Sequence, residues 1–179
     1  GHRPHHPYPA LVLFFSNQSF YGIFSLKDVV ISISETLIIN GDVNLETGHI
    51  KTKVSAIING KIDSGFSVQT GMDLTVKGMI LKSNAHVGGK LDVKTGIIGE
   101  GNNVKVIAKG SINAEFLENA NIWSGEDVVF NKSIIHSNVS AAGKLISTGK
   151  GVVIGGKITA SHGIEINDVG SKVSIPTTL

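Results

Sequence analysis

The stretch Gly71–Gly89, GMDLTVKGMILKSNAHVGG, decides the fold. It opens on a glycine turn and runs into a short alternating strand, with Leu74 and Val76 on one face and Asp73 and Thr75 on the other. A second apolar pair, Ile80 and Leu81, follows, and a third short strand through Ala85 and Val87 leads to the next glycine. Three short strands between glycine turns make one coil of a β-solenoid, a unit that hides its apolar side only by stacking on further units.

The unit recurs along the chain. Glycine turns at Gly71, Gly89, Gly110, Gly125, Gly143 and Gly163 are separated by 18, 21, 15, 18 and 20 residues, close to the period of solenoid repeats. Alignment on those turns gives one column of Leu74, Leu91, Ile112, Val128, Leu145 and Ile166, and a second of Val68, Val87, Ala108, Ile122, Ala141 and Ala160. Neither column contains a polar residue. The residues preceding the first column are Asp73, Lys90, Ser111, Asp127, Lys144 and Glu165. With coils about 4.8 Å apart, Asp73 is expected to meet Lys90, Asp127 to meet Lys144, and Lys144 to meet Glu165. Such cross-strand pairs contribute about 0.2–1 kcal/mol each, so the apolar columns must hold the fold.

Composition points the same way. The 179 residues include 22 glycines, no cysteine and 6% aromatics, a mixture suited to strands joined by tight turns, and no window shows sustained helical periodicity. Sixteen basic residues against 14 acidic ones are spread along the chain, which argues against a nucleic-acid partner. Without cysteine there is neither a disulfide nor a thiolate metal site. The apolar run Ala10 to Phe15 falls far short of the roughly 20 residues that span a bilayer, and no signal-peptide pattern precedes it. The expectation is a soluble, cytoplasmic protein without a transmembrane segment.

Three segments are expected: an N-terminal extension over 1–25, one β-helix domain over 26–175 and a short tail over 176–179. The opening GHRPHHPYP, with His2, His5 and His6, reads as a tail or the remnant of an added tag. The phenylalanine-rich LVLFFSNQSFYGIF is expected to cap the first coil. From Leu26 the strand runs VVISIS, LIINGDVNL and HIKTKVSAIINGKI alternate apolar with polar residues. The domain then holds about eight coils of about 18 residues in a rod roughly 40 Å long. Left-handed hexapeptide solenoids use strict six-residue sides, which spacings of 15, 20 and 21 do not respect. The expected fold is therefore a right-handed parallel β-helix.

Ordered stretches carry a resemblance. LIINGDVNLETGHI (37–50), GKIDSGFSVQTGMDLTVKG (60–78), GIIGEG (96–101), INAEFLENANI (112–122), IIHSNVSAAGK (134–144), GKGVVIGGKITA (149–160) and VGS (169–171) resemble the central β-helical region of the bacterial flagellar assembly protein A family. Members of that family are similar in carrying a further N-terminal domain and a helical part after the β-helix, neither of which is seen here. The resemblance implies a cytoplasmic, non-enzymatic scaffold or regulator connected with flagellar assembly or placement. It supplies no catalytic residue and no cofactor.

Enzyme chemistry is sparse on the residues themselves. A polysaccharide lyase wants a basic residue beside acidic cation ligands, yet the one arginine is Arg3. A glycosidase wants two carboxyl groups about 5–10 Å apart, whereas Asp73 and Asp127 fall three coils, or about 14 Å, apart. His86, His136 and His162 sit at different distances from their following glycines and do not form one column. Glu115, Glu118 and Glu126 read as solvated turn residues. The run GKGVVIGG (149–156) lacks the Gly-Lys-Ser/Thr ending of a phosphate loop, and its glycines are expected to serve turns at positive φ. Surface recognition remains. Trp123 should point outward by alternation and, with Phe116, is the candidate surface for a protein partner; the alternative lays it flat against Phe116 or Phe130. The closing SKVSIPTTL leaves an open end, so a homo-oligomer, in the limit a bactofilin-like cytoskeletal polymer, is the alternative function.

Overall fold

The computed structural model describes residues 13–15, 18–20, 36–101, 103–170 and 177–178. The chain divides into two units, Gly1–Ser34 and Glu35–Leu179. In the first, Leu13–Phe15 and Gln18–Phe20 form an antiparallel hairpin with Leu13 opposite Phe20. The N-terminal histidines, the onset at Leu26, the run VVISIS and most of the closing SKVSIPTTL lie outside the described residues.

The second unit is an all-β, parallel β-solenoid of about eight coils with about 18 residues per turn. Each coil contributes a segment to three parallel ladders. Ladder A holds Thr36–Ile39, Ser55–Ile58, Leu74–Val76, Leu91–Val93, the openings of Ile112–Glu118 and Val128–Ala141, then Leu145–Ser147 and Ile164–Glu165. Ladder B runs through bridges at Val43 and Ile62, then Ile80–Leu81, Gly96–Ile98, the later parts of the two long strands, Val152–Ala160 and Asp168–Val169. Ladder C takes Ile50–Thr52, Ser67–Thr70, Asn84–Val87, Val106–Ala108, Asn121–Ser124, the ends of Val128–Ala141 and Val152–Ala160, and Thr177–Thr178.

Alternation sends every second side chain into the coil, and register stacks those side chains on the coil below. The inward column of ladder B is the purest: Val43, Ile62, Ile80, Ile97, Leu117, Ile134 and Val153 are all buried. In ladder A, Leu74, Leu91, Ile112, Val128 and Leu145 stack in register, and the next member is Ile164 rather than Ile166. The Leu145 N–H bonds to the Gly163 carbonyl at 3.0 Å, and Gly163 at φ 122 turns the chain straight into the strand, two residues before the expected point.

The second expected column needs a larger correction. Val68 pairs with Ala85 and Thr70 with Val87, so ladder C has two inward rows. One runs Val68, Ala85, Val106, Ile122, Val139 and Ile158; the other runs Thr70, Val87, Ala108, Ser124, Ala141 and Ala160. Counting from the glycines merged them, because a two-residue slip keeps a side chain on the same face. The second row is not purely apolar: Thr70 and Ser124 are buried, and both hydroxyls donate to carbonyls, Thr70 to Met72 and Ser124 to Gly110 and Asp127. Those bonds offset the burial of polar groups.

The corners use glycine for close approach more than for unusual dihedrals. Of the six turn glycines, Gly163 is the one with positive φ. A Cβ on Gly71 or Gly125 would collide with the carbonyl oxygen of Lys53 or Lys109 on the preceding coil, and on Gly89 or Gly143 with the carboxylate of Asp73 or Asp127. The left-handed conformation sits instead at the corner between ladders B and C. There every coil has a residue at positive φ: Gly48, Gly65, Lys82, Gly101, Asn119, His136, Gly155 and Gly170 in turn.

Candidate functional site

The outer side of ladder C presents three rows. The central row reads Lys51, Gln69, His86, Ile107, Trp123, Ser140, Thr159 up the solenoid. On one side lie Ser67, Asn84, Lys105, Asn121, Asn138 and Lys157; on the other lie Lys53, Gly71, Gly88, Lys109, Gly125, Ala142 and Ser161. The last row is low because Gly71, Gly88 and Gly125 touch the backbone of the coil beneath and can carry no side chain.

This relief produces three shallow depressions on ladder C among the described residues. One of about 420 Å3 lies among Lys51, Lys53, Gln69 and Gly71, and one of about 330 Å3 among Gln69, His86, Gly88, Ile107 and Lys109. A third of about 270 Å3 lies among Asn121, Asn138, Ser140, Lys157 and Thr159. Trp123 stands between the last two, paired with Ile107 and Ser140, and is 44% exposed. No carboxylate lines any of the three.

Trp123 and Phe116 do not form one patch. Phe116 belongs to the outer side of ladder B, between Gly96 and Ser133, with its ring over Gly96. Phe130 is an interior residue of ladder A, 1% exposed. The three histidines are also dispersed. His86 is in the central row of ladder C, His136 is at the B–C corner with φ 48, and His162 sets its Nδ1 2.7 Å from the Ala142 carbonyl oxygen. Among the described residues no three His, Cys, Asp or Glu side chains are grouped to hold a metal ion.

Charge is distributed unevenly. The five ion pairs among the described residues, Lys61–Asp63, Lys82–Glu100, Lys94–Asp92, Lys132–Glu115 and Lys144–Glu165, lie on ladders A and B and their corners. Asp63 raises the pKa of Lys61, and Glu165 that of Lys144, in each case chiefly through the hydrogen bond between the two side chains. Two of the expected pairs take another form. Asp73 accepts the backbone N–H of Lys90 at 2.8 Å, and Asp127 that of Lys144 at 2.7 Å. Asp42 does the same for Lys61 at 2.9 Å. An Asp one coil below a Gly-Lys pair is thus a repeated corner device, with the carboxylate filling the space that a side chain on the glycine would need. GDV, MDL and EDV against three GK dipeptides carry that signal in the sequence.

No curated protein and no solved structure matches the chain. The family described as flagellar assembly protein A β-solenoid domain matches residues 35–179, the bounds of the second unit. From its first described coil to its end, the chain belongs to the flagellar assembly protein A β-solenoid family.

Proposed function

We propose that this solenoid is a non-enzymatic scaffold or regulatory binding protein of the cytoplasm, serving flagellar assembly or placement through contacts with a protein partner. Family membership supports the flagellar connection. The observation that carries the docking surface is Trp123, the chain's one tryptophan, left 44% exposed on a face of shallow depressions. Exposed tryptophans that can be desolvated by a partner are frequent anchors of binding energy. The test is a pull-down from cytoplasmic extract with wild type and Trp123→Ala side by side. A partner retained equally by both would remove this surface from the reading.

One observation favours self-assembly as a second reading. Among the described residues, Ile164–Glu165, Asp168–Val169 and Thr177–Thr178 pair only with the coil below, and an unpaired strand edge is a template for another chain. Light scattering over a wide range of concentration separates the two. A fixed small mass supports the docking module, and mass rising without limit supports the polymer.

A further inference from the structure

We infer that the outer side of ladder C binds an acidic, extended protein segment lying along the solenoid axis, held by lysines and anchored on Trp123. This names the partner chemistry of the docking surface proposed above and rests on that reading. Lys51, Lys53, Lys105, Lys109 and Lys157 are all exposed. None takes part in an ion pair among the described residues; elsewhere five lysines are paired and Lys77, Lys90 and Lys150 are not, so the unpaired lysines are concentrated on this face but not confined to it. The three outward rows of ladder C contain no Asp or Glu. A surface whose positive charge is not neutralised from within attracts and orients an anionic partner.

Geometry limits the shape of that partner. Lys51 lies four coils below Trp123 and Lys157 two coils above it, so the set spans roughly 30 Å at one strand spacing per coil. An extended segment of about nine residues covers that length. The strands of the middle coils already pair with the coils above and below, so the segment is read by side chains and not by adding a strand. Gln69, Asn121 and Asn138 lie between the lysines and offer amide donors and acceptors to its backbone. A single-stranded nucleic acid fits less well, since such sites combine a basic groove with several stacking aromatics and this face has one.

The lone tryptophan makes the site its own reporter. The probe is a labelled peptide of about ten residues, rich in Asp and Glu with one central leucine. Its Lys-rich counterpart, an oligouronate and a single-stranded oligodeoxynucleotide of equal charge serve as comparators. The acidic peptide should raise anisotropy saturably and shift Trp123 emission, and the Lys-rich peptide should do neither. Replacing Lys105, Lys109 and Lys157 together by alanine should weaken binding about tenfold, each exposed contact contributing about two- to threefold. Raising salt from about 0.05 to about 0.5 M should weaken it further. An unmoved Trp123 signal, unchanged affinity in the triple variant, or tighter binding of the oligouronate or oligonucleotide would overturn the inference. A partner lost with Trp123→Ala but kept by the lysine variant would leave the docking function standing and remove only the acidic segment; a partner indifferent to both would remove the two together.

Discussion

Ladders B and C are built from the same kind of strand, yet their outer sides have opposite chemistry. Outside ladder B, Leu81, Ile98, Glu118, Ile135 and Ile154 follow one another coil by coil, all partly buried. Branched and apolar side chains there cover one another along the row, which is the ordinary way a pleated face stabilises itself. Outside ladder C the corresponding row holds Gln69, His86, Trp123 and Thr159, all exposed, with half-buried Ile107 and Ser140 among them, beside a floor of glycines and unpaired lysines. Polar side chains gain little from neighbours 4.8 Å away, so this row contributes less to the rod and is available to a partner.

The widest test of that difference sets an interior residue of ladder B against the exposed anchor of ladder C. Leu117, 1% exposed, stacks between Ile97 and Ile134, and Leu117→Ala should destabilise by about 2–5 kcal/mol. Trp123→Ala should cost less than about 1 kcal/mol while abolishing partner capture. Denaturant melts of both variants check it. A Trp123→Ala cost comparable to that of Leu117→Ala would make ladder C a structural face and end the contrast.

The next test separates two kinds of glycine at the edge of ladder C. At Gly125 the obstacle to a side chain is the Lys109 backbone; at Gly89 it is the Asp73 carboxylate, which is held on the Lys90 N–H. Gly125→Ala should cost about 2–3 kcal/mol through displaced backbone. Gly89→Ala should cost about 1–2 kcal/mol by evicting the carboxylate from its hydrogen bond. In an Asp73→Ala background the nearest remaining atoms are backbone atoms 3.2 Å away, a tight contact but not a clash, so the added cost of Gly89→Ala should fall to well under its cost in the wild type. Additive costs at Gly89 would mean that the backbone, and not Asp73, forbids the side chain.

Much of this was legible in the sequence, and the failures share a cause. The coil count, the all-β class and the first column up to Leu145 follow from alternation and spacing, and the family from the resemblance of its ordered stretches. What slipped was register by two: Ile164 in place of Ile166, and two rows of ladder C merged into one. Alternation has period two and cannot detect such a shift. The ion-pair ladder misled for a different reason. Opposite charges at adjacent coils do signal contact, and Lys144 does meet Glu165, but Asp73 and Asp127 sit at glycine corners where a backbone N–H is nearer than the ammonium. The split between Trp123 and Phe116 lay beyond linear reading, because the corner between them at Asn119 turns on a non-glycine residue at φ 47.

That corner supplies a smaller prediction. His136 occupies at φ 48 a position that Gly65 and Gly155 fill on other coils. A non-glycine residue there pays about 1–2 kcal/mol, while glycine loses about 0.5–1 kcal/mol to chain entropy. His136→Gly should therefore stabilise by roughly 0.5 kcal/mol, with no effect on the outer side of ladder C. A destabilised variant would show that the imidazole makes contacts worth more than the strain.

The smallest effect is expected at Lys144 and Glu165, two partly solvated groups joined at 2.7 Å on ladder A. The hydrogen bond to Glu165, and then its charge, raise the Lys144 pKa above the ordinary 10.5. Because the folded value is raised, the stabilisation is fully present below pH 10.5, the value in the unfolded chain, and is lost as pH climbs through the folded value. Glu165→Gln keeps an acceptor oxygen but removes the charge. Thermal melts of wild type and Glu165→Gln should differ slightly at neutral pH, and the gap should close in strong alkali. A gap that persisted once Lys144 had lost its proton would assign the effect of Glu165 to packing on the final coil, and the ion-paired and unpaired faces would then differ in layout without differing in energy.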